Sequence, residues 1–443
     1  MLKGDKRTIN GWVMYDWANS VYSLTITSAI FPMFYVAATR EYGVQNVIDR
    51  YGAHPDTLYP WALSAGFLVV ALIAPLLSGI ADHTGRKLTF LKLFCYTGAA
   101  ACAGLFFFDV DHLWVGLGMV MLACVGFSGS LIFYDAFLPE IAEPKDHDRI
   151  SARGYTMGYI GSVLLLVVNL AMVMRPALFG LPEGSALPAR VSFLTVAVWW
   201  VGFAQIPFAR LPRNPYHRKA SGAVVLNGYR ELRKVWRELR ATRRLKRFLL
   251  AFFMLNMGIQ TVMYLAVNYA KAEIVEVGPD GVIGPITDTS LIVSILLIQL
   301  VAAVGALLFV RLSKRFGNVR ALMIGAVVWV VLCGFAYTIH QAQEFYVLAA
   351  GVGLVMGGSQ AISRSTYAKF LPETIDHASY FSFYDVSYYI GTVVGTFIYG
   401  LVFGLTGDLR NTVLVIGGFF LVGLALLALV PREEVALEAS PRV

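Results

Sequence analysis

The stretch YDAFLPE at residues 134–140 recurs as YAKFLPE at residues 367–373, with five of its seven residues unchanged. A second pair follows at a similar distance, because YIGSV at 159–163 is answered by YIGTV at 389–393. Both shifts are close to 230 residues, which indicates two related halves. Many secondary transporters build a central site from six-helix halves repeated about an axis along the membrane normal. The repeat therefore predicts a duplicated membrane protein that carries a solute, without indicating which solute.

Composition excludes a soluble protein. Of the 443 residues 57% are hydrophobic and 14% charged, and the mean hydropathy is +0.65. We predict an all-α integral membrane protein with twelve transmembrane helices in two pseudo-symmetric six-helix halves. The apolar windows, numbered helices 1–12 in chain order, are 11–38, 61–81, 89–108, 113–134, 154–174, 191–209, 248–270, 289–310, 321–340, 345–366, 380–404 and 411–430.

Positive charge is distributed unevenly over the predicted loops. If the N-terminus is cytoplasmic, 30 of the 36 Lys and Arg residues fall on the cytoplasmic side. This asymmetry predicts that both termini are cytoplasmic, and it accounts for the net charge of +8 without a nucleic-acid partner. Compact loops and the lack of a targeting segment favour a prokaryotic cytoplasmic membrane. The six exceptions are Arg40, Arg50, Arg175, Arg190, Lys271 and Arg410.

The chain is predicted to divide into an N-terminal six-helix half (1–209), a basic cytoplasmic linker (210–247), a C-terminal half (248–431) and a cytoplasmic tail (432–443). In the linker, apolar side chains recur every three or four residues, which predicts an amphipathic helix against the headgroups or the helix bundle. These side chains are Val225, Tyr229, Leu232, Trp236 and Leu239.

Between predicted helices 2 and 3, residues 79–87 read GIADHTGRK. This segment resembles the cytoplasmic signature of the major facilitator superfamily, with one fewer residue between the first glycine and the aspartate. The resemblance implies gating roles for Asp82, Gly85 and Arg86. In the corresponding segment of the second half, 311–320, Lys314 replaces the aspartate.

A closer resemblance covers most of the chain. It is carried by YDWANS at 15–20, the repeat at 134–140, SARG at 151–154, QT at 260–261 and FSFY at 381–384. These segments resemble the vacuole effluxer-like branch of that superfamily, which implies a major facilitator fold. One fungal member is associated with amino-acid export from the vacuole, so the resemblance suggests amino acids as the substrate.

The chain departs from this branch at one point. Met257 follows Asn256, at a place where the family tends to carry an acidic residue. Coupling to a proton or cation would therefore use another carboxylate, or there would be none.

Polar side chains inside apolar helices are candidates for the solute site, because they are costly to place in a bilayer. On helix 7, Asn256, Gln260, Tyr264 and Asn268 recur every four residues and form one seam. Ordinary hydrogen bonding between helices is the alternative explanation of this seam. The predicted substrate-binding residues are Tyr15, Asp16, Asn19, Tyr22, Tyr159, Asn256, Gln260, Tyr264, Tyr384 and Tyr388.

Asp16 and Asp385 are the candidate coupling carboxylates. For each a structural alternative remains open: Asp16 could cap helix 1 or pair with a basic loop residue such as Arg153, and Asp385 could pair with Arg364. Residues at the cytoplasmic ends of helices 4, 5 and 10 are interpreted as gating groups, namely Asp135, Glu140, Arg153 and Arg364.

Together these patterns predict a secondary active transporter that moves a small polar organic solute by alternating access. Amino acids are the leading candidate, and proton-coupled efflux fits the same pattern. A carrier of sugars or lipid-like solutes on the same fold is the first alternative, and a polytopic membrane enzyme or sensor is the second. We expect no enzymatic activity, cofactor or metal site, and a monomer in the lipid bilayer whose partners are its solute and a proton or cation.

Overall fold

The computed structural model describes residues 3–214, 224–277 and 282–431. It contains twelve helices long and apolar enough to cross a membrane, as predicted. Several begin or end a few residues beyond the predicted windows, because helices continue past the hydrocarbon core. We number them 1–12: Lys6–Tyr42, Pro55–Thr84, Lys87–Gly104, Leu113–Asp135, His147–Met174, Leu187–Arg210, Arg243–Glu273, Asp288–Phe316, Asn318–Thr338, Ala342–Phe370, His377–Thr406 and Leu409–Ala428.

Short elements connect these helices. Strands β1 (Val275–Val277) and β2 (Ile283–Pro285) pair antiparallel after helix 7, with Glu276 opposite Gly284. The remaining connections are helical: Val44–Tyr51, Leu105–Phe107, Val110–His112, Leu138–Ile141, Pro144–Asp146, Pro176–Phe179 and the linker helix Val224–Ala241. The predicted tail at 432–443 lies outside the described residues.

The packing repeats between the halves. In the first half, helix 1 packs on helices 5 and 6, and helix 3 contacts helices 4 and 6. In the second half, helix 7 packs on helices 11 and 12 in the same way, and helix 9 contacts helices 10 and 12. Across the interface helix 2 packs on helix 11, and helix 5 packs on helices 8 and 10. The twelve helices therefore form two pseudo-symmetric six-helix halves, as the repeat predicted.

Helices 8 and 10 approach each other closely where helix 10 carries glycines. A Cβ at Gly353 would lie 2.4 Å from the carbonyl oxygen of Ile298, and one at Gly357 would lie 2.0 Å from that of Ala302. Small residues at such contacts let membrane helices pack backbone against backbone. The glycines of helix 10 thus fix the core of the second half.

Helix 1 is irregular in its middle. Residues Tyr22–Ala29 form a π-helical segment between two α-helical segments. Pro32, one turn further on, has no N–H to donate to the preceding turn. Within the π-helical segment, the carbonyl oxygen of Ser23 accepts hydrogen bonds from the hydroxyl groups of Thr27 (2.5 Å) and Ser28 (2.9 Å). Such π-helical segments are frequent at functional sites.

The face of the bundle at which helix 1 begins and helix 12 ends is called the basic face, since most Lys and Arg residues lie in its loops. Gly4 donates its backbone N–H to Ile141 in the 4–5 loop there. Arg247, near the start of helix 7, donates to the carbonyl oxygen of Leu429 at 2.7 Å. The beginnings and ends of both halves thus meet at this face.

The linker helix packs on helix 2 at the basic face. Its Gly228 contacts Gly79 so closely that a Cβ at Gly79 would lie 2.3 Å from the carbonyl oxygen of Gly228. This contact turns Val235 and Leu239 inward, whereas Tyr229 and Trp236 remain 55% and 45% exposed. Of the predicted apolar stripe, Leu239 is buried against the bundle and the Trp236 ring lies 5.3 Å from that of Phe383 in helix 11, while contact with the headgroups stays a prediction. The side chain of Val225 lies outside the described residues.

The linker helix also contacts helix 11 in the second half. Lys234 donates to Asp376 at 3.0 Å, and the Tyr380 hydroxyl donates to Glu238 at 2.8 Å. Burial alone would lower the pKa of Lys234, but the hydrogen bond and the charge of Asp376 raise it above its ordinary value. The linker helix thus touches both halves.

Candidate functional site

A cavity of about 540 Å³ lies between the two halves, on the side away from the basic face. It is bounded by helices 1, 2, 7, 8, 10 and 11, from Asp56 at the start of helix 2 to Phe67 at its floor. The π-helical segment of helix 1 contributes Leu24, Thr27 and Ser28 to its wall. Its polar lining consists of hydroxyl and amide groups and one carboxylate: Thr27, Ser28, Tyr35, Asp56, Tyr59, Ser64, Tyr264, Asn268, Ser294, Gln299, Thr392 and Thr396.

The predicted polar seam of helix 7 divides between two environments. Tyr264 and Asn268 line the cavity. Asn256 is buried below it and donates to the carbonyl oxygen of Tyr388 at 2.9 Å, while Gln260 donates to the side-chain oxygen of Asn256 at 3.3 Å. In this conformation the lower half of the seam joins helices 7 and 11.

The other predicted substrate residues also lie away from the cavity wall. On helix 1, Tyr15, Asn19 and Tyr22 are buried toward their own half, and the Tyr22 ring lies 4.9 Å from that of Phe127. On helix 11, the Tyr384 ring stacks at 4.1 Å on Phe252 of helix 7.

The floor of the cavity is made by contacts between the halves. The Tyr159 hydroxyl donates to Gln360 at 2.6 Å, which joins helix 5 to helix 10. The Tyr389 hydroxyl donates to the carbonyl oxygen of Ser128 at 2.8 Å and joins helix 11 to helix 4, while its ring stacks 5.6 Å from that of Phe67. Of these residues Phe67 lines the cavity, and the two hydrogen bonds close the interface below it.

Below the floor, Arg364 of helix 10 is fully buried and binds the first half. It donates to Asp16 and Asp135 at 3.0 Å each, and to the hydroxyl and carbonyl oxygens of Ser151 at 2.9 Å. The predicted partner of Asp16, Arg153, is exposed instead. Asp16 is thus a buried, paired carboxylate, and its cation is Arg364 of helix 10 rather than a basic loop residue, the alternative considered from the sequence.

Aromatic rings complete this cluster. The guanidinium lies 4.8 Å from the ring centre of Trp12 and 4.2 Å from that of Tyr155. The Tyr134 hydroxyl donates to Asp16 at 2.8 Å. Gly154 leaves space for the Asp16 carboxylate, since a Cβ at this position would lie 2.2 Å from it. The first residue of the repeated heptapeptide therefore has a structural role in holding Asp16.

Asp385 of helix 11 is different. It is 4% exposed, and one of its carboxylate oxygens has no hydrogen-bond partner among the described residues. The ion pair with Arg364, considered as an alternative from the sequence, is not formed, because that guanidinium is directed to Asp16 and Asp135. Asp385 is thus a buried carboxylate of the second half with an unsatisfied oxygen.

Nearer the basic face, helices 2 and 11 are joined by what we call the 2–11 latch. Asp82 accepts the backbone N–H groups of Ser379 (2.7 Å) and Ala378 (3.3 Å), in the first turn of helix 11. A carboxylate at a helix N-terminus is stabilised by the free N–H groups and by the helix dipole. Gly85 ends helix 2 in a left-handed conformation (φ 69°), which non-glycine residues rarely adopt.

Glu140 lies beside this latch. It forms a buried ion pair with Lys87 and contacts His377 at 3.1 Å. Arg86, the predicted gating cation, is exposed. The structure thus assigns the buried cation of the signature to Lys87, one residue later.

The corresponding contact between helix 5 and the second half is called the 5–8 latch. Asp148 accepts hydrogen bonds from Lys369 (2.6 Å), Asn318 (2.7 Å) and Ser313 (3.0 Å). Lys314, which replaces Asp82 in the second copy of the signature, is exposed. Asp148 was not among the predicted gating residues, although the lysine at 314 in place of an acid indicated that a different group closes this contact.

Comparison with known proteins agrees with this architecture. The family model described as "Vacuole effluxer Atg22 like" matches residues 4–440. The chain is 32% identical to the uncharacterized MFS-type transporter YxiO of Bacillus subtilis, over 98% of this chain and 97% of that one. It is 24% identical to autophagy-related protein 22-1 of Penicillium rubens, over 98% and 92% of the two chains.

Solved structures share the fold. The human organic anion transporter MFSD10 matches with a TM-score of 0.70 and 14% identity, over 96% of this chain and all (100%) of that one. The E. coli fucose:proton symporter FucP matches with a TM-score of 0.67 and 16% identity, over 96% and 98%. At such identities the likeness shows the fold alone and does not favour a sugar as substrate. The family and fold are those of transporters, and the chain belongs to the vacuole effluxer Atg22-like family of major facilitator transporters.

Proposed function

We propose that this transporter moves a small neutral or zwitterionic solute by alternating access, with amino acids as the leading class. One observation carries the proposal: the cavity between the halves opens away from the basic face, while two latches and the Arg364 cluster close the other side. Its volume of about 540 Å³ falls in the range of roughly 300–1,000 Å³ that small-molecule sites occupy.

The lining supports an uncharged or zwitterionic solute. Among the described residues of the wall, Asp56 is the one charged side chain, and it lies at the mouth. A strongly anionic solute would need a cationic partner, because an unpaired charge is costly to remove from water. Hydroxyl groups, Asn268 and Gln299 can instead bind carbonyl and amino groups, and Tyr35, Tyr59 and Tyr264 can cover apolar side chains.

The orientation follows from charge. Since Lys and Arg are retained on the cytoplasmic side, we assign the basic face and both termini to the cytoplasm, so the cavity opens outward. The membrane would be the cytoplasmic membrane of a prokaryote. The name of the matching family suggests efflux. In that cycle the solute would enter when the latches are open and leave in the conformation described here.

A ligand screen followed by a transport assay tests the substrate class. The purified protein would be heated with each of the twenty amino acids, common sugars and organic anions, since a bound solute raises the melting temperature. Hits would then be tested by counterflow in proteoliposomes. We expect stabilisation and counterflow with one or more neutral amino acids.

Matched variants locate the site. Asn268→Ala in the cavity should weaken both signals, whereas Val304→Ala, on the exposed surface of helix 8, should leave them unchanged. Counterflow of sugars or anions without amino acids would overturn the proposed class. An undiminished signal in Asn268→Ala would place the binding site deeper, toward Asn256 and Gln260.

A further inference from the structure

Below the cavity floor, buried carboxylates outnumber the cations that could neutralise them. Asp16, Asp135 and Asp385 are all buried there, and Arg364 is the one cation that reaches them among the described residues. If all were ionised, the cluster would carry a net charge of −2 in the membrane interior. Buried charges are costly unless they are paired, so the cluster needs a bound cation or proton.

Two of the three carboxylates are satisfied. Asp16 and Asp135 each accept a hydrogen bond from Arg364 at 3.0 Å, and Asp16 also accepts one from Tyr134. Asp385 has neither an ion pair nor a hydrogen bond through its second oxygen. The unmet need for a positive partner therefore falls on Asp385.

Asp385 is placed where a proton bound to its carboxylate could leave toward the basic face. It lies eight residues after His377, the first residue of helix 11, which is about 12 Å along the helix axis. The cavity wall on this helix begins at Thr392, and the Tyr389 contact to helix 4 lies between. In this conformation the Tyr389 contact separates the carboxylate from the cavity, so a proton enters from the cavity only when that contact parts, and opening of the latches would uncover the carboxylate from below.

We propose that Asp385 binds the proton that drives the transport cycle, and that Arg364 releases this proton by changing partners. This inference rests on the proposed transport function and deepens it. The ion pairs of Arg364 with Asp16 and Asp135 cross between the halves, whereas Arg364 and Asp385 belong to the same half. When the basic face opens, the cross-half pairs separate and the guanidinium becomes free to neutralise Asp385.

In chemical terms the O–H bond of the Asp385 carboxyl breaks and the proton passes to water at the basic face. The carboxylate left behind pairs with Arg364, and Asp16 and Asp135 become hydrated as the halves part. As the present conformation is restored, both cross-half pairs re-form and Asp385 takes up a proton from the cavity side, so that each cycle carries one proton from the cavity side to the basic face. The other ionisable groups facing Asp385 are hydroxyls on helices 10 and 11, namely Tyr367, Tyr384, Tyr388 and Tyr389.

Infrared spectroscopy of the reconstituted protein tests the site without a known substrate. A protonated carboxyl has a C=O stretching band that ionised carboxylates lack. We expect this band at neutral pH in the wild type, a shifted band in Asp385→Glu, and loss of the band in Asp385→Asn. Asp288→Asn removes an exposed carboxylate of helix 8 and should leave the band unchanged.

A transport assay tests the coupling separately. With a mixture of labelled amino acids, Asp385→Asn should retain counterflow but lose accumulation driven by a pH gradient. Absence of the infrared band, or its loss in Asp135→Asn but not in Asp385→Asn, would overturn the proposal. A normal band together with no amino-acid movement would support the proton site and contradict the proposed substrate class instead. Unchanged gradient-driven accumulation in Asp385→Asn would also overturn it.

Discussion

The 2–11 latch and the 5–8 latch occupy equivalent places in the two halves, yet their acidic residues lie on opposite sides of the contact. In the first, Asp82 belongs to the signature segment and faces Ala378 at the start of helix 11. In the second, the signature position is the exposed Lys314, and the acid is Asp148, at the start of helix 5. The duplicated chain has kept a negative charge in each contact while moving it across the interface.

The two latches also differ in what holds the acid. Asp82 binds backbone N–H groups, which no side-chain substitution in helix 11 can remove directly. Asp148 binds three side chains from helices 8, 9 and 10. Among the contacts described above, the 2–11 latch thus depends on the Asp82 side chain and on the start of helix 11, whereas the 5–8 latch depends on several side chains. The second should therefore be easier to weaken in small steps.

The largest effect is expected for Asp82→Asn. The substitution removes the charge and turns an N–H donor toward backbone donors, and hydrogen bonds to charged groups are worth about 1.5–3 kcal/mol. The ratio of closed to open basic faces should fall by about tenfold or more, since about 1.4 kcal/mol corresponds to a factor of ten in an equilibrium constant. Hydrogen–deuterium exchange of peptides over residues 377–384 measures this, and unchanged protection there would contradict the role of the latch.

Asp148→Asn should have a smaller effect. The amide oxygen can still accept from Asn318 or Ser313, and Lys369 keeps its contact with the Asn318 side chain at 3.1 Å. We expect a loss of about 1.5 kcal/mol, the lower end of the range for hydrogen bonds to charged groups, because the other donors keep an acceptor. Faster exchange at the start of helix 9, with residues 377–384 unaffected, would separate the two latches. An effect as large as that of Asp82→Asn would remove the distinction between them.

Rebuilding the first arrangement in the second half sharpens the comparison. Asp148→Ala with Lys314→Asp places the acid on the signature segment and alanine at the start of helix 5, as in the 2–11 latch. We expect the double variant to regain part of the protection that Asp148→Ala alone loses at the starts of helices 5 and 9. No recovery would show that the backbone of the 8–9 loop no longer permits the original geometry.

Lys314→Ala is expected to have the smallest effect. The side chain is exposed, and surface substitutions of this kind usually change stability by no more than about 0.5 kcal/mol. Exchange rates and melting temperature should match those of the wild type. A clear loss of protection at helix 5 would mean that the lysine contributes to the 5–8 latch after all.

The sequence predicted the architecture because its signals are local or repeated. Apolar windows identified all twelve helices, and the repeated heptapeptide identified the halves. The partners of Asp16 and Asp148, and the unsatisfied oxygen of Asp385, were not predictable in this way. Arg364 lies 348 residues from Asp16, and the choice between Arg364 and Arg153 depends on how helices rotate against each other. Helix rotation also explains why Lys87, and not the predicted Arg86, is the buried cation of the signature. A shift of one residue turns a side chain by about 100° around a helix.

The contact of Gly228 with Gly79 indicates where the chain could be split into two fragments that reassemble. The linker helix follows the first half in sequence and also packs on it backbone against backbone, while its contacts with helix 11 are made by side chains. Two separately expressed fragments would therefore reassemble best if the chain were cut at Thr242, so that the linker helix folds as the seventh helix of the first fragment. If the chain were cut ahead of Val224, the linker helix would belong to the second fragment. Its main packing surface, on helix 2, would then belong to the other fragment.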